Sequence, residues 1–194
     1  MYPLDLADNS VASLLIAILF SESKSLNTHR YKKSDRDGTI FETQKKGHTR
    51  MDLRLKGKNV VITGGSKGIG RATALAMASE GANVAICARG KDPLQATSSD
   101  LAALGINVFS RSTDVANPEE LTAFLNESKE SLGSVDILIN NTSGFGMTDD
   151  EAGWKVSIDV DLMATVRATQ QVIPWMEESG GGSIIHVSSI SGLE

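Results

Sequence analysis

The feature that most limits the fold of this chain is a set of short apolar runs that do not alternate with polar residues: Val60-Val61-Ile62, Val84-Ala85-Ile86-Cys87, Ile137-Leu138-Ile139 and Ile184-Ile185-His186-Val187. A strand with one wet face alternates, whereas a strand covered by helices on both faces is apolar throughout. The runs therefore predict strands of a parallel sheet sandwiched between two helical layers. A weaker run at residues 107–110 fits between the second and third.

Helical segments separate the runs. Residues 68–80 are Ala-rich, and the small residues Ala72, Ala76 and Ala78 suit close packing of that helix on a sheet. Residues 118–132 open with Asn117 as a cap, Pro118 at the first helical position and Glu119 and Glu120 in the first turn, with Leu121, Phe124 and Leu125 on one face. A longer helix over residues 155–178 presents Val156, Val160, Met163, Val166, Ile173 and Met176, with Pro174 expected to end or kink it. Residues 92–104 form a fourth, weaker helix. The order βαβαβαβαβ implies a doubly wound, Rossmann-like α/β fold with about five strands and right-handed crossovers.

With 194 residues, 40% hydrophobic and 22% charged, the chain suits one globular domain. Nineteen basic residues against 24 acidic ones argue against broad nucleic-acid binding, which needs clustered cations. A lone cysteine, Cys87, excludes an internal disulfide framework, and His29, His48 and His186 have no metal-ligand spacing. The apolar run over residues 11–20 is about half of what a bilayer requires, and the acids Asp5 and Asp8 precede it where a secretory signal carries cations. No membrane span, no export and a cytoplasmic location are expected. Residues 21–50 are polar and aperiodic, so residues 1–50 read as an extension, mobile or outside the fold, ahead of a dinucleotide-binding domain over residues 51–194.

The first run leads directly into Thr63-Gly64-Gly65-Ser66-Lys67-Gly68-Ile69-Gly70 and then into the Ala-rich helix. Glycines there allow a sharp turn and let a pyrophosphate approach main-chain N–H groups at a helix N-terminus. A P-loop is excluded because Arg71 and Ala72 stand where Lys and Ser/Thr are needed. The G-x-G-x-x-G spacing is absent too, which leaves T-G-x-x-x-G-x-G.

That pattern resembles the short-chain dehydrogenase/reductase family, closest to its 3-oxoacyl-carrier-protein reductase-like branch. Three further blocks carry the resemblance: Asp114-Val115 after the third strand, Asn140-Asn141-Thr142-Ser143 after the fourth, and Ser188-Ser189-Ile190-Ser191-Gly192 after the fifth. Thr142 and Ser143 stand where the family has Ala and Gly. The resemblance implies coenzyme binding by Thr63, Gly64, Ser66, Lys67, Gly68, Ile69, Gly70, Arg89, Asp114, Val115, Asn141 and Thr142, the pair Asp114-Val115 contacting adenine. It implies Ser189 as the catalytic serine, a small-molecule carbonyl or alcohol substrate, and a homo-oligomer in the complete protein. Charge argues the coenzyme's form: Ala88 and Arg89 end the second strand with no acid to accept from a ribose 2′-hydroxyl, and Lys67 lies in the turn, which favours NADP over NAD. Arg89 and Lys67 as plain solvated charges are the alternative.

In the family a Tyr with a Lys four residues on donates the proton; here Leu6 and Asp35 stand four residues after Tyr2 and Tyr31. By resemblance the pair belongs about a dozen residues past Ser189, whereas the chain stops at Glu194, so a truncated and by itself inactive reductase is expected. Asp161 falls where the family has the Asn of a proton relay; it can accept a relay hydrogen bond, or it is simply a helix-surface acid. A hydrolase pair of His186 and Ser189 is disfavoured, since residues three apart on a strand face opposite ways. His186 reads as a core residue and Cys87 as a buried structural thiol. The rival function is a dinucleotide-binding or regulatory module without turnover. The expectation for residues 1–50 is directly testable: deleting them should leave the melting temperature within a few degrees, whereas a large drop would show that the segment is packed.

Overall fold

The computed structural model describes residues 52–188, and the fold is that of the unit beginning at Arg54. The readings of residues 1–50 and of Ser189 fall outside the described residues. Five strands form one parallel sheet: β1 (Asn59–Thr63), β2 (Asn83–Ala88), β3 (Val108–Ser112), β4 (Ile137–Asn140) and β5 (Ser183–His186). Their order is β3-β2-β1-β4-β5. Between them run α1 (Gly68–Ser79), α2 (Lys91–Ala102), α3 (Pro118–Leu132), and a compound helix made of α4 (Glu151–Val156), a π-helical segment (Ser157–Met163) and α5 (Ala164–Glu178). The fold is the doubly wound α/β architecture that the apolar runs predict, with β1, β2 and β4 buried and β3 and β5 half-buried.

One face of the sheet packs on α3 and α5. Val61, Ala85, Cys87 and Leu138 meet Leu121, Phe124, Leu125, Ala164, Ala168, Val172 and Met176 in one cluster, with Phe109 stacked on Phe124 at 6.3 Å. Burying side chains of this size is worth about 1.5–3 kcal/mol each. The start of α3 is fixed locally, because the Asn117 side chain accepts from the N–H groups of Glu119 and Glu120. The opposite face carries α1 and α2. The buried stripe of α1 is Gly70, Thr73, Ala74, Met77 and Ala78, so Ala78 serves the close packing expected of it while Ala72 and Ala76 lie at the margin.

The long helix differs from expectation in three ways. It begins four residues earlier, at Glu151, and widens into the π-helical segment. Of the two outcomes expected at Pro174, an end or a kink, the end is not seen: the helix continues to Glu178. Pro174 and Gln170, whose carbonyl loses its partner, are both exposed, so water can satisfy that carbonyl. The buried face is Val160, Ala164, Ala168, Val172 and Met176, whereas Val156 and Ile173 are exposed. His186 is also exposed, at the end of an outer strand, with its Nδ1 3.2 Å from the Asn140 amide. The core reading of that histidine is therefore corrected: β5 is covered far less than the central strands.

Cys87 is fully buried and free, as expected. Burial pushes its thiol from 9.0 up to about 12, against a smaller lowering by a hydrogen bond to the Gly64 backbone. Above about pH 9 the unfolded chain loses this proton while the folded chain keeps it, so the contribution is complete below that pH and declines until the folded thiol titrates. The urea midpoint should fall further between about pH 8 and pH 10.5 in the natural chain than in Cys87→Ala. Equal falls would contradict this.

Candidate functional site

At the C-terminal edge of the sheet the connections after β1 and β4 leave in opposite directions, opening the crevice where ligands bind in folds of this kind. The two strand ends are tied together. The Thr63 hydroxyl accepts from the N–H of Asn141 at 3.0 Å and of Thr142 at 3.3 Å. The Asn141 amide donates to the carbonyls of Thr63 at 3.1 Å and Gly64 at 3.2 Å. Gly64 turns the chain with φ +71°, and Gly70 brings α1 back so closely that a Cβ there would lie 2.2 Å from the Gly64 carbonyl oxygen and 2.4 Å from the Asn141 amide nitrogen.

The α1 helix that starts here has Lys67 as its N-cap, with no side-chain cap and no acid in its first turn. Its leading N–H groups thus lack the side-chain partner that Asn117 gives α3 and Asp150 gives α4. In front of this turn lies a cleft of about 250 Å3. Gly64, Ser66 and Lys67 line it from the turn, Arg89 from the end of β2, Asp114 and Val115 from the loop after β3, and Thr142 from the loop after β4. Among the described residues neither Lys67 nor Arg89 is in an ion pair, while five other cations are. Asp114 shapes its own loop, its carboxylate accepting from Ala116 N–H at 3.1 Å while its N–H donates to Glu120 at 2.8 Å. The Thr142 hydroxyl is buried beside Gly64 without a partner among the described residues.

The far wall is formed by Ser143, Gly144, Val156 and Val160, with Gly144 lying closely on the two valines. The Asp161 carboxylate accepts the Gly144 N–H at 2.9 Å. Further along, Asp150 caps α4 through Gly153 N–H at 2.8 Å and takes the Thr148 hydroxyl at the same distance. Those bonds, the Gly153 one foremost, hold its carboxyl below the ordinary carboxylate value.

Of the residues singled out in the sequence, Gly64, Ser66, Lys67, Arg89, Asp114, Val115 and Thr142 converge on the cleft. Thr63, Gly70 and Asn141 stand behind it as its frame. Gly68 lies at the turn with φ +52°, and Ile69 is exposed outside the cleft wall. Asp161 meets the wall from behind and does not line the cleft. Sequence reasoning passed over Gly65, where a Cβ would lie 2.5 Å from Ile86 Cγ2, and Pro93, which lines the cleft from α2. No periodic signal marks either. Beyond Asn141 and Thr142 no residue of the loop after β4 is assigned from the sequence, yet Ser143 and Gly144 line the cleft; the Gly-Phe-Gly spacing at 144–146 is the available sign.

Comparison with known proteins agrees with this geometry. The short chain dehydrogenase family profile matches residues 58–194. The chain is 36% identical over 143 residues to the 3-oxoacyl-[acyl-carrier-protein] reductase FabG of Staphylococcus epidermidis, a match covering 70% of this chain and 57% of that protein. It is 33% identical over 150 residues to the uncharacterized oxidoreductase YvrD of Bacillus subtilis, covering 74% of this chain and 56% of the relative. Among solved structures, L-sorbose reductase from Gluconobacter frateurii, complexed with NADPH and L-sorbose, superposes with a TM-score of 0.68 at 38% identity over 72% of this chain and 55% of that one. A 7α-hydroxysteroid dehydrogenase complexed with NADH gives 0.70 at 31% identity, over 74% and 57%. The chain thus spans a little over half the length of these relatives. Matched along its whole α/β unit, it belongs to the short chain dehydrogenase family of oxidoreductases.

Proposed function

We propose that this chain forms the coenzyme-binding part of an NADP-dependent oxidoreductase that interconverts a carbonyl and an alcohol on a small-molecule substrate in the cytoplasm. The observation that carries the reading is the convergence of Lys67 and Arg89, both without ion-pair partners among the described residues, on a cleft that the glycine turn and an uncapped helix N-terminus also face. The residues present fit a dinucleotide. The tight passage at Gly70 and the turn at Gly64 leave backbone where a side chain would stand, and the helix N-terminus favours a pyrophosphate. Lys67 and Arg89 supply a point charge and a planar fork for a 2′-phosphate, and Ala88 and Arg89, with no acid, stand at the end of β2. Asp114 and Val115 border the adenine end, and Thr142 with Ser143 and Gly144 borders the opposite end. The L-sorbose reductase complexed with NADPH supports this form of coenzyme, while the steroid dehydrogenase complexed with NADH shows that the fold accommodates either.

When bound, a nicotinamide coenzyme supplies the hydride. This chain's part is to hold it, and by family resemblance Ser189 is the residue that hydrogen-bonds the substrate oxygen. Fluorescence titration with NADPH and NADH tests the coenzyme. Charge-assisted contacts to a phosphate should favour NADPH by about ten- to a hundredfold, and Arg89→Asp should abolish that preference. Equal affinities would overturn the NADP reading, and no binding of either would overturn the coenzyme reading. The frame of the site is tested separately by Gly70→Ala, whose methyl meets a backbone carbonyl that cannot step aside. It should cost about 1–3 kcal/mol of stability in urea unfolding and weaken dinucleotide binding; unchanged binding would dissociate the turn from the site.

A further inference from the structure

We infer that the Thr142 hydroxyl is a coenzyme contact that forms only on binding: in the free chain it is turned against Gly64 without a partner, and with coenzyme present it swings about χ1 into the cleft to donate to an oxygen of the diphosphate or of the ribose beyond it. The inference rests on the coenzyme reading and adds to it a side-chain group on the diphosphate side. Five side-chain polar atoms are buried without a hydrogen-bond partner among the described residues, on Thr73, Asn140, Thr142, Arg167 and Thr169. Of these five residues Thr142 is the one that lines the cleft. A buried hydroxyl left unpaired destabilises the state that contains it, so one placed at a binding cleft points to a partner that arrives with the ligand.

The surroundings leave this side chain a single movement. The Thr63 hydroxyl holds the Thr142 N–H at 3.3 Å and the preceding Asn141 N–H at 3.0 Å, so the main chain is pinned and rotation about χ1 remains. Threonine has more than one low-energy χ1 rotamer. The oxygen faces the glycine turn, where a Cβ built on Gly64 would lie 3.1 Å from it and 3.3 Å from the Thr142 Cα. Because Gly64 carries no side chain, the γ-methyl can take the place that the hydroxyl leaves. The exchange puts an apolar group in the dry position and brings the hydroxyl to the surface that Thr142 shares with Gly64, Ser143 and Gly144. In the proposed binding mode this surface lies away from the 2′-phosphate, so the contact is common to NADPH and NADH. Alanine, which the family carries at this position, has no such donor.

Two variants separate the hydroxyl from the shape of the side chain. Thr142→Val keeps the shape and removes the hydroxyl, whereas Thr142→Ser keeps the hydroxyl and removes the methyl. Both are compared with the natural 194-residue chain by urea unfolding without ligand and by fluorescence titration with NADPH and NADH. In Thr142→Val the urea midpoint of the free chain should rise or stay unchanged, since an unpaired buried oxygen is removed. The same variant should bind NADPH and NADH more weakly by one common factor, about three- to thirtyfold, the range of a hydrogen bond to a neutral or a charged oxygen. The ratio of the two affinities, which Arg89→Asp abolishes, should thus survive. Thr142→Ser should keep NADPH affinity within about twofold. By NMR, the three-bond couplings of the Thr142 γ-methyl carbon should report a change of χ1 rotamer when NADPH is added. Undiminished NADPH affinity in the Val variant, a Ser variant as weak as the Val variant, or unchanged couplings would overturn the inference. So would a Val variant that loses urea stability together with affinity, because the hydroxyl would then be supporting the fold. A natural chain that binds neither dinucleotide refutes the coenzyme reading and this contact with it; a natural chain that binds, beside a Val variant that binds equally well, refutes the contact alone.

Discussion

The approach of Gly70 to the Gly64 carbonyl, with the Asn141 amide wedged against both, is the contact on which the working edge of this molecule depends. It sets the angle at which α1 leaves β1, and with it the direction of the uncapped helix N-terminus. It also brings the loop after β4 against the loop after β1, because the residue that completes the contact belongs to the other strand. Thr63 closes the same knot from below, spending one hydroxyl on two N–H groups of that loop. Four residues therefore determine where the cleft lies, and of these Gly64 lines it while Thr63, Gly70 and Asn141 stand behind it.

The two ends of the sheet are treated oppositely. At the N-terminal end a polar ladder runs across the strands: the Asn83 amide donates to Asn59, the Asn59 amide to Ser134 and to the Leu132 carbonyl, and Asp136 takes both the Asn59 N–H and Lys58. Asn107 joins through its N–H to Asn83. Polar groups so paired add order and leave nothing to offer a ligand. At the C-terminal end the helix amides lack a side-chain cap, two cations line a cleft without ion-pair partners among the described residues, and one threonine hydroxyl is buried unpaired. Unmet donors gathered at one edge of an otherwise well-paired sheet mark where an anionic partner is expected.

How much of this the sequence disclosed follows from which forces act locally. The central strands were legible because covering both faces leaves apolar runs, Val60-Val61-Ile62 and Ile137-Leu138-Ile139, inside them, and α3 was legible to the residue because Asn117 and Pro118 fix its start without help from distant contacts. The convergence of Gly64, Lys67, Arg89 and Asp114 was legible because strand ends of a parallel sheet all point to one edge. What stayed hidden was tertiary in origin. Pro174 reads as a stop or a kink, and its exposure explains why the helix can run through it. His186 reads as core until β5 is placed at the outside of the sheet. The π-helical segment leaves no trace in the apolar spacing, since Val160 and Ala164 keep a four-residue step through it.

The loop after β4 shows how such a hidden feature is built. Glycines at 144, 146 and 153 let backbone lie against backbone, which makes a thin, close wall. Glycine is also the residue with the most conformational freedom to lose on folding, so a wall of this kind tends toward disorder unless other groups restrain it. Here the restraints come from side chains that reach back to the main chain or to one another: Asp161 to Gly144, Asp150 to Gly153 and Thr148, and the Trp154 indole to Asp149 at 3.0 Å. Three of these four bonds lie within α4 and the residues leading into it, and so hold the loop only to itself. The bond from Asp161 is the one that crosses to the π-helical segment, and that segment is continuous with α5, whose buried face is part of the main core. The cleft wall is therefore referred to the core of the domain both through this polar bond and through the close approach of Gly144 to Val160, itself a core residue.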